Sequence, residues 1–236
     1  MKRIVILTAS ELRHDYFKIK FALEKDIEVV KTYCDINKKK YDFNNIDYDN
    51  VEDVHFSSRH QTERDFFEEY VLLSSDSSNS QYIERGDINS DNYIEEICEI
   101  NPDFIVTYGC CIIKPKLINL FRNKIINVHL GLSPYYFGSG TNFHPFVNQE
   151  LSAIDPCDNI HQIGNRLIKK MTQEFINLIK NFEKVKDKKP ATDKHGKTYK
   201  ARDCTKDSIV QAYQNIKSGI CLKYVQNKNN LDVEFP

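Results

Sequence analysis

Arg3-Ile4-Val5-Ile6-Leu7-Thr8, the spaced apolar positions Tyr16, Phe17, Ile19 and Leu23, and then Ile27 to Cys34 with Val29, Val30 and Tyr33 decide the fold. The first segment is an unbroken apolar run closed by Ala9-Ser10-Glu11, as in a strand covered on both faces. The second carries helical spacing, and the third reads as a strand again. Strand, helix, strand at this spacing is the signature of a βαβ unit, and so of a parallel sheet.

Outward from that unit, residues 35–53 form a long polar excursion rich in Lys, Asn, Asp and Tyr. A helix is expected over 57–70, with Glu63, Arg64, Glu68 and Glu69 on a solvated face. Val71-Leu72-Leu73 reads as a short strand, and 74–92 as a loop of Ser, Asp and Asn. A helix over 92–100 turns Tyr93, Ile94, Ile97 and Cys98 inward and stops before Asn101-Pro102. Asp103 to Gly109 is an interior strand, 114–121 a short helix with Pro115 in its first turn, and 125–131 a further strand. Over 159–182 the positions Ile160, Ile163, Leu167, Ile168, Met171, Phe175, Leu178, Ile179 and Phe182 keep the i, i+3/i+4 rule, with Asp158 as N-cap. The charged stretch 183–189 is a linker. The tail has one helix over 207–225 and is too small for its own core, so it should dock on the main domain or a partner. The expected division is a domain over 1–182, then linker and a small helical C-terminal extension over 183–236.

Lys plus Arg is 33 against 34 for Asp plus Glu, so no global field draws the chain to nucleic acid or an anionic membrane. The first apolar run is too short for a signal segment and no stretch spans a bilayer, so a cytoplasmic protein is expected. The seven cysteines, Cys34, Cys98, Cys110, Cys111, Cys157, Cys204 and Cys221, form no CxxC pair. That argues against a disulfide framework and against a metal site; buried reduced thiols are the expected state.

The chemistry concentrates in Ile126-Asn127-Val128-His129-Leu130-Gly131-Leu132-Ser133-Pro134-Tyr135-Tyr136, followed by Gly138-Ser139-Gly140-Thr141. Side chains at i and i+2 of an extended segment point the same way, so Asn127 and His129 can aim at one small volume. An amide NH2 and an imidazole N–H are the donors that stabilise an oxyanion, and the imidazole also carries a proton. His144 reads as a helix-start residue without chemistry and His161 as a solvated residue of the long helix. In the first βα loop, Ser10, Arg13 and His14 could bind a phosphate at a helix N-terminus; a purely structural turn competes with that reading. No G-x-G-x-x-G is present, which disfavours a dinucleotide site.

Asn127-x-His129-x-Gly131-x-x-Pro134-x-Tyr136-x-Gly138 resembles the signature of the folate-dependent formyltransferases. Gly138 to Pro145, Asp158 to Ile168 and Glu11-Leu12-Arg13-His14-x-Tyr16-Phe17 look most like the bacterial sugar N-formyltransferases found near surface-polysaccharide genes. The resemblance covers 1–182 and implies a Rossmann-like, doubly wound sheet with ligands at the carboxyl ends of the strands. It also implies formyl transfer from N10-formyltetrahydrofolate to an amine, with no metal. Asn127 and His129 would hold the oxyanion. The pteridine would lie by Tyr108, Gly109, Cys110, Ile112, Leu132, Ser133 and Pro134. The acceptor, a nucleotide-linked amino sugar, would lie by Ser10, Arg13, His14, Tyr135 and Tyr136.

The family's third catalytic member, the Asp of an Asp-x-Gly, is missing: no Asp-x-Gly follows His129, and 148–158 is too short for the strand and loop that carry it. Three readings compete: Asp155 substitutes for it, the chain is an internal deletion with little activity, or a segment was lost by construction. Pro156 holds Asp155 extended, which ranks impaired catalysis above rescue. A missing interior strand would expose apolar edges and favour a homodimer. The other functions in competition are a methionyl-tRNA or glycinamide-ribonucleotide acceptor, and a catalytically dead module that binds ligand.

Overall fold

Ile4, Val5, Ile6 and Leu7 are at most 1% exposed in the computed structural model, as an interior parallel strand requires. The structure describes residues 1–36, 45–131, 136–138, 140–141, 143–148, 158–185 and 196–227. In chain order the first elements are β1 (Lys2–Ala9), α1 (Leu12–Ala22), β2 (Ile27–Ile36), α2 (Val51–Leu73) and β3 (Ser80–Glu84). A 3-10 turn (Asp87–Asn89), α3 (Asp91–Ile100), β4 (Phe104–Tyr108), α4 (Pro115–Leu120) and β5 (Ile125–Asn127) follow. Then come β6 (Tyr136–Gly138), α5 (His144–Asn148), α6 (Ile160–Lys180), α7 (Phe182–Val185), β7 (Lys197–Tyr199), a 3-10 turn (Ala201–Asp203), α8 (Lys206–Lys217) and α9 (Ile220–Asn227).

The main sheet has the order β3-β2-β1-β4-β5 and every pairing in it is parallel. This is the α/β, Rossmann-like arrangement. The order reverses between β1 and β4, so the crevice outside their carboxyl ends is where such sheets receive ligands. On one face Val5, Leu7, Tyr33 and Ile105 pack against Ile94 and Ile97 of α3 and Leu117 of α4. α3 stops where Asn101 turns left-handed (φ 44°) ahead of Pro102.

Several expectations need correction. Val71-Leu72-Leu73 is the last turn of α2, not a strand, and Leu72 and Leu73 are 76% and 80% exposed. The strand lies instead at β3, inside the stretch read as loop. It is an edge strand with only Ile83 buried, so periodicity had little to report. Its neighbours hold it: Thr32 Oγ1 donates to the Ser78 carbonyl at 2.8 Å, and Asn79 Nδ2 donates to the Val29 and Val30 carbonyls. α2 starts at Val51, within the polar excursion. The strand expected over 125–131 ends at Asn127, with one further ladder bond from Val128 N to the Thr107 carbonyl at 2.8 Å.

The N-cap of α6 is Asn159, not Asp158. Asn159 Oδ1 accepts from the His161 and Gln162 amides, and Gln162 Oε1 accepts from the Asn159 amide. Asp158 pairs with Arg166 at 2.7 Å instead.

Two compact units divide the chain, one of Met1–Tyr41, Glu63–His129 and Ile168–Lys186, the other of Asp42–Thr62, Leu130–Leu167 and Asp187–Pro236. The first holds the five-stranded sheet. In the second, β6 and β7 pair in parallel and Phe143, Phe146, Ile160, Ile163, Ile209, Ala212, Ile220 and Cys221 form a core. α8 and α9 thus bury the apolar face that the tail cannot bury by itself.

Candidate active site

Asn127 closes β5 directly opposite Thr107 of β4. Thr107 is 3% exposed and its hydroxyl donates to Asn127 Oδ1 at 2.8 Å. With Oδ1 engaged as acceptor, the orientation of the amide is assigned by that bond and Nδ2 is its donor end. The side chain is exposed at the carboxyl edge of the sheet. Val128 next to it turns into the core at 3% exposed, and His129 follows, half-buried with Nδ1 inside. The pair therefore straddles the strand end, its amide on the last rung and its imidazole two residues on.

β4 delivers Tyr108, whose ring packs on His14 and Phe17 with centroids 4.7 and 4.9 Å away. Gly109 has φ 67° and bridges to Thr8. The next segment is pinned from two sides. Asp35, 2% exposed at the end of β2, accepts from the Cys111 amide. Asn89 donates to the Ile112 carbonyl at 3.1 Å and accepts from the Lys114 amide at 2.7 Å. Burial, with Cys111 and Asp35 alongside, pushes the Cys110 thiol up to about 12, so it is an inert thiol at neutral pH. Ile112 is 88% exposed, an apolar side chain open to a ligand.

In the first βα loop Ser10 is half-buried and Arg13 is committed. Its Nη1 reaches both Glu63 oxygens at 2.7 and 3.0 Å, and Nη2 stands 3.7 Å from Glu11. Any phosphate there would have to compete with two carboxylates. His14 is 2% exposed, with Nδ1 2.8 Å from Thr8 Oγ1 and Nε2 3.3 Å from Glu11 Oε2. Leu132, Ser133, Pro134, Tyr135 and Asp155 lie outside the described residues; Tyr136 contributes backbone to β6.

One histidine differs from expectation. His161 is buried, not solvated: with His55 it flanks the Tyr213 hydroxyl, both ring nitrogens at 3.4 Å. Burial, then each other and Arg59, lowers its pKa to about 3. His144 does start a helix, but it is 3% exposed and stacked on Tyr199 at 3.7 Å and 16°. The sequence pattern did not point to Thr107, Thr8, Asp35 or Asn89, and Glu63, expected on a solvated face, is instead 6% exposed and held by Arg13. Only Thr107 and Thr8 left a trace, as polar residues inside apolar strands.

Among the described residues no group of three or more His, Cys, Asp or Glu is placed to hold a metal. Nor is any described helix long and apolar enough to cross a membrane.

No family model matches the chain. A 63-residue stretch is 36% identical to the methionyl-tRNA formyltransferase of Finegoldia magna, covering 26% of this chain and 20% of that protein. The chain thus spans about a fifth of the curated relative it matches. Solved structures agree more broadly. A sugar N-formyltransferase from Shewanella sp. superposes with a TM-score of 0.55 at 13% identity, covering 90% of this chain and 88% of that one. A 4-N formyltransferase from Francisella tularensis gives 0.54 at 14% identity, over 91% and 87%. The phosphoribosylglycinamide formyltransferase of Anaplasma phagocytophilum gives 0.52 at 12% identity, over 85% and 98%. The chain has the formyltransferase fold. That likeness of fold covers 85–91% of the chain.

Proposed function

We propose that this protein transfers a formyl group from N10-formyltetrahydrofolate to the amino group of a small acceptor, a nucleotide-linked amino sugar. The observation that carries the reading is the Asn127 amide, held through Oδ1 by Thr107 at the carboxyl edge of a formyltransferase fold. The acceptor is supported by the sugar N- and 4-N formyltransferases among the structural neighbours. The described segment Gly109–Ile112 suits a flat heterocycle, with an exposed apolar side chain beside fixed backbone groups.

In this reading the acceptor nitrogen attacks the formyl carbon, forming a C–N bond, and the carbonyl oxygen becomes an oxyanion. Asn127 Nδ2 and His129 donate to that oxygen. As the tetrahedral intermediate collapses, the bond from carbon to N10 breaks and N10 takes up a proton, balancing the one lost by the amine. Asn127 contributes only to the charged state, so its effect falls on kcat. After His129 the sequence holds no Asp-x-Gly to orient the imidazole.

The test mixes the protein with N10-formyltetrahydrofolate and a panel of nucleotide-linked amino sugars while tetrahydrofolate release is followed. Turnover on one of them is expected. That missing Asp-x-Gly favours a second reading, a module that binds folate without transferring the formyl group. Folate binding with no turnover on sugar, glycinamide-ribonucleotide or methionyl-tRNA acceptors would establish it.

A further inference from the structure

Thr8 is fully buried, and its hydroxyl donates to the carbonyl of Tyr108 at 2.8 Å, joining the carboxyl ends of β1 and β4 where the sheet order reverses. A hydroxyl has one proton, so the same oxygen can only accept from its other neighbour. That neighbour is His14 Nδ1 at 2.8 Å, which therefore carries its hydrogen. Nε2 on the far side of the ring stands 3.3 Å from Glu11 Oε2. The ring also lies directly under Gly109: a Cβ there would come within 2.3 Å of His14 Cε1.

An apolar trio could fill this space at less desolvation cost, but it would lack direction. The polar chain fixes the Tyr108 carbonyl. Because the peptide group is planar, that also fixes the Gly109 N–H on its opposite side, and with it the direction in which the following segment leaves the sheet. One residue earlier, Thr107 holds Asn127.

We propose that Thr8 and His14 are positioning residues for the folate, acting through the Tyr108–Gly109 peptide. The inference rests on the formyl-transfer reading and adds the residues that aim its folate segment.

The test compares Thr8→Val with Thr8→Ser, and His14→Gln with His14→Asn, whose amide can reproduce the Nδ1–H donation. Tetrahydrofolate affinity is measured by calorimetry, Tm alongside, and amide exchange at residues 109–111. Thr8→Val and His14→Gln should weaken tetrahydrofolate binding about tenfold and speed that exchange, while Thr8→Ser and His14→Asn stay within about threefold of wild type. A merely structural role would lower Tm and leave the affinity of the folded molecules unchanged. Should Thr8→Val fail to fold, the His14 pair decides. Wild-type affinity in His14→Gln, or Thr8→Ser as weak as Thr8→Val, overturns the proposal while leaving formyl transfer intact. A wild-type protein that binds no tetrahydrofolate overturns both.

Discussion

Asn127 is exposed and its acceptor oxygen is taken by Thr107, so the two substitutions at this pair should separate chemistry from stability. Asn127→Ala should cost on the order of a hundredfold or more in kcat, with Tm nearly unchanged. Thr107→Val leaves the amide free to rotate and should cost about tenfold. Steady-state kinetics and thermal melts check both, and an unaltered rate in Asn127→Ala removes the oxyanion role. The pair Asn127/His129 was legible because its two residues are sequence neighbours. Thr107 and Glu63 were not, because sheet register and helix packing bring them to Asn127 and Arg13 from 20 and 50 positions away.

Among elements, the unit containing α5, α8 and the first turns of α6 carries its own acid sensitivity. Burial holds His55 at about 4 and His161 at about 3, against the ordinary 6.5. The imidazoles face Arg59, Tyr213, Phe56 and Phe143. In the unfolded chain they protonate near 6.5 while the folded unit keeps them neutral. Stability is therefore complete above that pH and falls as pH drops from 6.5 towards 4, by about 3 kcal/mol for His55 alone. Urea melts at pH 7 and 4.5 measure the loss, and His55→Phe should flatten it. An equal slope in the variant sinks this account. At the edge of the main sheet, Lys18 is 2% exposed and reaches Asp15, Asp76 and Ser80, tying α1 to the start of β3. Lys18→Ala strands Asp15 and Asp76 and should destabilise by about 2 kcal/mol, read from a denaturant midpoint. β3 owes its place to such neighbours rather than to its own apolar pattern, which is why sequence periodicity passed over it and caught β1 at once.

For the whole molecule, the tail is structural. Ile209, Ala212, Ile220 and Cys221 supply half of the eight buried positions in the core of the second unit. Burying Ile209 and Ile220 alone contributes about 3–6 kcal/mol, a large share of what holds a domain together. A chain ending at residue 195 should therefore lose its second unit to limited proteolysis, whereas the full chain resists. Identical digestion patterns would show the tail to be dispensable. The sequence indicated one helix over 207–225 in need of a surface; the structure divides it into α8 and α9 at Gly219, φ 80°. The sequence held no sign that the surface would be the first turns of a helix beginning near residue 160, since a contact of that separation leaves no local period.

The Tyr213 hydroxyl between His55 Nδ1 and His161 Nε2 imposes one last rule. One hydrogen cannot satisfy two lone pairs, so when the phenol gives its hydrogen to one ring the other must supply its own. If His55 receives, both imidazoles hold their hydrogens on ε nitrogens; if His161 receives, both hold them on δ nitrogens. For as long as the phenol's hydrogen lies between them, the rings change tautomer together, two bodies read by nitrogen resonance as a single switch.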